Sequence, residues 1–289
     1  MKLKSEFIVK FKPVLKGNDV YIKDKQIIPR DEVNALLEKE LKGESPTGIR
    51  SMQAYLGKRF LGITRGLITK FLAEHPQLQT MMKRPRVTLG PNKKKKQSTG
   101  WVLDKYPGTI GMDTVQFSVN TFPSRGGGGG ALWYGKKKYL NVCVHKASGY
   151  TWIQPLAKYG AAASLKHLKL IMPEIKKNWG PVDHIEVDGG TEYASVFATF
   201  CQQQNIPIDV VSRNPYVEVK NSMVQRTLKI LYKDHSFTKA IELTAKKLNN
   251  TRNETNKNNW SAIETIGKKN FKKRDAKDFK SVPRSKGGK

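Results

Sequence analysis

The chain has 289 residues, of which 38% are hydrophobic and 9% aromatic, so it has enough apolar material for a folded core and is not wholly disordered. Its 53 Lys and Arg residues against 24 Asp and Glu residues give a formal net charge of +29, which favours a nucleic-acid partner. No apolar run approaches the roughly 20 residues of a membrane-spanning helix, and two cysteines are too few for a disulfide framework.

The cellular compartment is predicted from the cysteines and from the amino terminus. Cys143 and Cys201 lie in apolar sequence, which indicates core residues in a reducing environment. The first sixteen residues alternate charged and apolar side chains, unlike a secretory signal. We therefore expect an intracellular protein, in the nucleus or at viral or element DNA, with no membrane association. Charge alone leaves open a basic protein of a ribosome-like particle.

The first predicted domain, residues 1–80, is helical. Apolar residues recur at helical spacing over 29–43, and two further helical patterns follow at 48–60 and 64–76, with Thr64 placed to cap the last of them. This arrangement predicts a helix-turn-helix-like domain that binds DNA. The basic side chains available for phosphate contacts are Arg50, Lys58, Arg59, Arg65 and Lys70.

A basic linker is predicted over residues 81–105, because prolines, glycines and lysines there replace periodic apolar residues. Its four consecutive lysines are expected to lie along a DNA backbone, although solvated lysines give the same pattern. These residues are Lys93, Lys94, Lys95 and Lys96.

The third predicted domain, residues 106–235, has the order βββαβαβα. Three consecutive strands followed by α/β alternation predict an α/β fold with a mixed sheet flanked by helices on both faces. Residues 236–289 are predicted to form a helical extension and a basic tail.

Two aspartates stand out within the predicted strands. Asp113 lies in the middle of an otherwise apolar strand, where an unpaired carboxylate is costly, and Asp188 ends another such strand before Gly189 and Gly190. Strand ends are where open α/β sheets bind ligands, and Mg²⁺ prefers carboxylate oxygens. Paired Mg²⁺ ions suit chemistry on phosphodiesters. The plainer readings are a salt-bridged strand residue at 113 and a turn at 188.

Three segments resemble the successive core blocks of retroviral-type integrases and related DDE transposases. They are GMDTVQF, NVCVHKASGYTWIQPLAK and IEVDGGTEY, and the later NNTRNETNKNNWSAIETIG is similar to the segment that closes such domains. The resemblance covers residues 106–267. With the helical amino-terminal unit and the basic linker, the chain looks most similar to Maverick or Polinton-type integrases and those of related viruses.

The resemblance implies an RNase H-like fold that catalyses DNA 3′-end processing and strand transfer. It implies two Mg²⁺ or Mn²⁺ ions, with Asp113 bridging both ions while Asp188 and a glutamate each hold one. It also implies double-stranded DNA as partner, both element ends and target, and a homo-oligomer that joins two ends together. The family's asparagine after the second aspartate is Gly189 here.

The third acid has two candidate positions on the last helix of the domain. Glu218, with Asn221 three residues later, matches the family pattern and begins a polar stripe, with Val219 on the opposite, apolar side. Against it, only 29 residues separate Asp188 from Glu218, fewer than is typical, and the spacing favours Gln225. We expect Glu218 to be the third catalytic and metal-binding acid, with the Gln225 alignment left open.

The resemblance also assigns DNA contacts and bears on zinc. The residues expected to position DNA on this helix are Asn221, Gln225, Arg226 and Lys229. Many relatives hold zinc in the amino-terminal bundle, but this chain has only His75 there and no cysteine before Cys143, so no zinc is expected.

Two alternatives to an active integrase remain from the sequence. A glutamine in place of the third acid would weaken cation binding and leave an inactive or domesticated DNA-binding derivative. An RNase H-like nuclease without strand transfer is the other.

Overall fold

The computed structural model describes residues 12–75, 108–117, 139–156, 158–211, 214–251 and 261–267. The chain divides into two compact units, Met1–Arg86 and Val87–Lys289. The predicted lysine contacts at 93–96 lie outside the described residues.

The amino-terminal unit combines three helices with a small sheet. The helices are α1 Val33–Lys42, α2 Ile49–Leu56 and α3 Arg65–Glu74. The strands are β1 Val14–Lys16, β2 Asp19–Ile22, β3 Lys25–Ile27 and β4 Phe60–Leu61. They pair in chain order, antiparallel except for the parallel pair of β3 and β4.

A single apolar cluster holds this unit together. Leu37 of α1, Met52 and Leu56 of α2 and Ile68 of α3 are fully buried in it. Thr64 caps α3 as predicted, because its Oγ1 accepts a hydrogen bond from Leu67 N at 3.3 Å. The three helices lie within the predicted helical domain, and the four short strands β1–β4 were not predicted.

The second unit is built on a five-stranded mixed sheet in the order β7-β6-β5-β8-β9. Its strands are β5 Thr109–Gln116, β6 Tyr139–His145, β7 Thr151–Leu156, β8 His184–Val187 and β9 Ile208–Val210. The first three form an antiparallel meander, and β8 and β9 add in parallel beside β5. The predicted mixed α/β sheet is confirmed.

Helices cover both faces of this sheet. They are α4 Ala161–Trp179, α5 Val196–Gln203, α6 Pro215–Leu231 and α7 Phe237–Asn250, with short 3₁₀ turns at Thr191–Tyr193 and Ile263–Thr265. Helices α4 and α5 pack with Ile110, Met112 and Val187 on one face. Helices α6 and α7 pack with Val115 and Val142 on the other face.

The alternation of side chains along β5 explains the two cores. Residues 110 and 112 face α4 and α5, so residues 111 and 113 face α6. Cys143 and Cys201 are both free and fully buried, as expected of core residues. Within the described residues, no helix is long and apolar enough to cross a membrane.

Candidate active site

Asp113 and Asp188 are neighbours at one edge of the sheet. Strands β5 and β8 pair in parallel with Met112 opposite Val187, so the residue after each of them stands at the same level. Met112 and Val187 both point into the core beneath α4 and α5. The two aspartates therefore point to the other face, towards α6.

Helix α6 approaches β5 closely because Gly111 has no side chain. A methyl group at this position would overlap Val217 and would come within 3.3 Å of Asn214 Nδ2. Asn214 caps the helix, since its Oδ1 accepts a hydrogen bond from Val217 N at 3.3 Å. Its Nδ2 donates to Glu186 of β8 at 3.2 Å, which ties the start of α6 to the strand that immediately precedes Asp188.

One helical turn later, α6 reaches Asp113. Asn221 is only 6% exposed, and its Nδ2 donates a hydrogen bond to Asp113 Oδ2. Glu218 lies in the first turn of α6, three residues earlier, and Gln225 lies one turn further on. Both third-acid candidates thus flank the contact between Asn221 and Asp113. Val219, assigned to the side opposite the polar stripe, is 46% exposed.

The acids repel one another electrostatically. The pKa of Asp113 is raised to about 6, by burial first and then by the charges of Asp188, Glu192 and Glu218, against a lowering by the backbone N–H of Thr114. Asp113 is therefore surrounded by three other carboxylates within electrostatic reach. This mutual repulsion is the condition that a bound cation relieves.

Glu192 and Tyr159 belong to this site but were not predicted from the sequence. Glu192 lies in the 3₁₀ turn after β8 and is 2% exposed, and the Tyr159 hydroxyl donates a hydrogen bond to its Oε2. Partial burial raises the pKa of Tyr159 to about 12, with the hydrogen bond to Glu192 and the charges of Glu192 and Asp188 adding to the shift. The available sequence signal for Glu192 is its position four residues after Asp188.

A polar layer on the opposite face of the sheet supports the same segment. Asn141 of β6 donates from Nδ2 to Thr114 Oγ1 at 3.0 Å and to the Tyr193 hydroxyl at 3.2 Å. Its Oδ1 lies 2.6 Å from His167 Nδ1, and burial lowers the pKa of His167 to about 4. A neutral His167 with its proton on Nδ1 satisfies this pair. The network anchors Tyr193, the residue next to Glu192.

The donor set has the right chemistry for a hard divalent cation. It offers carboxylate oxygens together with Asn221 Oδ1, a buried amide oxygen for which the described residues supply no hydrogen bond. In the part of the chain that the structure describes, however, no three His, Cys, Asp or Glu side chains form a group that could hold a metal ion. A cation would have to draw these carboxylates together.

The predicted DNA-contact residues of α6 are placed differently from one another. Lys229 is exposed, Gln225 and Arg226 are half-buried, and Asn221 is buried against Asp113. Asn221 is thus positioned to orient Asp113, whereas Lys229 is accessible to a phosphate backbone. In the amino-terminal unit, Arg59 binds Glu40 at 2.7 Å, while Arg65 is exposed.

Comparison with known proteins adds no relative to this picture. No protein-family model matches the chain, and a search of the curated proteins finds no significant match.

Proposed function

We propose that this chain is a metal-dependent DNA strand transferase of the integrase type, which processes DNA 3′ ends and joins them to target DNA. The observation that carries the proposal is the meeting of Asp113 and Asp188 on the α6 face of the sheet, with Glu218 in the first turn of that helix. The mixed α/β sheet is compatible with the RNase H-like fold that the sequence resemblance implies.

The proposed cofactor is Mg²⁺ or Mn²⁺, held by Asp113, Asp188 and Glu218. Such ions supply charge neutralisation at the phosphate and an activated oxygen nucleophile. Asn221 orients Asp113 through its hydrogen bond. The exposed Lys229 and the linker lysines at 93–96 would bind the phosphate backbone with little sequence preference. Partners are element ends and target DNA, in a homo-oligomer, and the proposed location is the nucleus or viral or element DNA.

The test is a strand-transfer assay with purified protein, Mg²⁺ or Mn²⁺, labelled duplex ends and a plasmid target. We expect nicked ends and joined products, and Asp113→Asn and Asp188→Asn should each lower product formation by at least ~100-fold. Nicking without joining would indicate a nuclease and overturn strand transfer.

The third acid is tested in the same assay. Glu218→Gln should abolish both products, whereas Gln225→Glu should leave activity at or below that of the parent chain. The proposed role of Glu218 fails if Glu218→Gln retains activity and Gln225→Glu raises it.

A catalytically inactive DNA-binding derivative is the second candidate. It is favoured by the lack of any ready-made metal-holding group among the described residues, combined with a net charge of +29. It predicts DNA binding that Asp113→Asn leaves unchanged, with no nicked product in either cation.

A further inference from the structure

Glu192 is a buried carboxylate whose cost of burial is only partly offset. It is 2% exposed, and the Tyr159 hydroxyl donates one hydrogen bond to Oε2. No Lys or Arg within the described ranges forms an ion pair with it. An ionised carboxylate accepts about four hydrogen bonds, so most of the capacity of this group is left for another ligand.

Gly190 contacts the carboxylates of both Asp188 and Glu192. Asp188 Oδ1 accepts a hydrogen bond from Gly190 N at 3.2 Å. A methyl group at Gly190 would come within 2.9 Å of Glu192 Oε1 and would overlap the rest of that carboxylate. Both acids therefore fold back onto one glycine. The anchored ring of Tyr193, 4% exposed, fixes the turn from the other side.

A second observation at the cluster, independent of its acids, points to a cation. Asn221 is 6% exposed and its Nδ2 is held by Asp113, which leaves Oδ1 as a buried acceptor without a donor among the described residues. A buried, unpartnered oxygen on the residue that contacts Asp113 suits a hard cation and disfavours an anion.

Two contacts hold the Glu192 carboxylate in place. It packs against Gly190 and accepts a hydrogen bond from the Tyr159 hydroxyl. Its 3₁₀ turn, Thr191–Tyr193, begins four residues after β8 ends at Val187. Preorganised ligands lose less conformational freedom when an ion binds.

We propose that Glu192 is a cation ligand of this site, completing a set with Asp113 and Asp188, and that Tyr159 is the positioning residue that orients its carboxylate. The inference rests on the proposed function, because it assumes a divalent cation at the two aspartates. It assigns Glu192 as a carboxylate on which the affinity for the first ion depends.

The test measures the affinity of the full chain for Mn²⁺ in the absence of DNA, by electron paramagnetic resonance and by calorimetry. Asp113→Asn should abolish binding at the site. Glu192→Gln should weaken it by roughly 10–100-fold. Tyr159→Phe, which keeps the ring but removes the hydroxyl, should weaken it by roughly 2–10-fold.

The outcomes separate the two proposals. If Asp113→Asn abolishes Mn²⁺ binding while Glu192→Gln binds like the parent chain, the role of Glu192 is overturned and the proposed function stands. If the parent chain and Asp113→Asn bind equally, both proposals fail. Should Glu192→Gln not fold, as judged by circular dichroism, Tyr159→Phe decides: unchanged affinity overturns the inference.

Discussion

Burial and neighbouring carboxylates destabilise the ionised form of Asp113. In the absence of divalent cations, the free energy of unfolding should therefore depend on pH. The pKa of Asp113 rises from an ordinary 3.8 to about 6 in the folded chain, so the folded state binds more protons than the unfolded state between these values. Stability should therefore fall as pH rises from about 4 to about 6, and the loss is complete above that range.

Asp113→Asn should remove this pH-dependent loss. In EDTA we expect the variant to be more stable than the parent by roughly 1 kcal/mol at pH 8, a figure reduced for solvent screening, and by much less at pH 4. Urea unfolding at both pH values measures the difference. Asp234→Asn, an exposed acid of the same unit, is the control and should change neither value. Equal stabilisation by Asp113→Asn at both pH values would contradict the prediction.

Gly190 and Gly189 form a matched pair for testing the packing of Glu192. Gly190 has an ordinary φ of -70°, so Gly190→Ala is strained only by overlap with the Glu192 carboxylate. We expect it to destabilise the fold by about 1–3 kcal/mol. A methyl group at Gly189 meets only Val210 Cγ1, at 3.9 Å, so Gly189→Ala should change stability by less than about 0.5 kcal/mol.

The measurement is urea unfolding of both alanine variants, followed by circular dichroism. Equal effects of the two substitutions would mean that the Glu192 carboxylate does not rest on Gly190.

At the scale of elements, the close approach of α6 to β5 positions Asn221 and Glu218 relative to the aspartates. Val217 is fully buried directly over Gly111. Gly111→Ala should therefore cost about 1–3 kcal/mol by forcing the helix outward. Val217→Ala alone leaves a cavity and should cost about 2 kcal/mol.

The double substitution of Gly111 and Val217 should cost less than the sum, by at least about 1 kcal/mol, because the new methyl group fills the space that the valine leaves. Urea unfolding of the four chains gives this coupling energy. Combining Gly111→Ala with Leu168→Ala, in α4 across the sheet, should be additive within about 0.5 kcal/mol. Additivity in both pairs would refute a direct contact between β5 and α6.

The sequence predicts well those elements whose apolar pattern repeats over many residues or whose first residue follows a clear capping residue. Helix α3 begins at its predicted cap, Thr64, and α4 follows a helical pattern through 19 residues. The strands of the amino-terminal sheet have two to four residues each, too few for an alternating pattern to register. Their positions depend on pairing across the sheet, which a local pattern does not carry.

The candidate site was predictable in part for a similar reason. Asp113 and Asp188 end up together because the strand order alone brings them to adjacent strands. The burial of Glu192 depends on tertiary contacts with Gly190 and Tyr159, which spacing along the chain does not reveal.

At the scale of the whole molecule, a net charge of +29 predicts strongly salt-dependent DNA binding. Neutralising six to ten phosphates would lower the affinity for duplex DNA by roughly 10³–10⁵-fold between 50 and 200 mM salt. Asp113→Asn should leave this salt dependence unchanged, because the half-buried Asp113 supplies no positive charge that could contact a phosphate.

The distribution of charge distinguishes an oriented DNA complex from a general polycation. Alanine at Lys93, Lys94, Lys95 and Lys96 should reduce the slope of log affinity against log salt by roughly 3–4, since each phosphate contact contributes about 0.9. The charge-matched control changes four exposed lysines of α4, on the face of the sheet opposite the acids. These are Lys166, Lys169, Lys176 and Lys177.

The α4 variant should lower the slope by less than about 1, because duplex DNA bound at the acidic site cannot also follow the far face of the sheet. Fluorescence anisotropy with a labelled duplex at five salt concentrations measures all three slopes. If both quadruple variants reduce the slope equally, the protein binds DNA without a preferred orientation. In that case the linker lysines do not direct DNA to the acids on the α6 face.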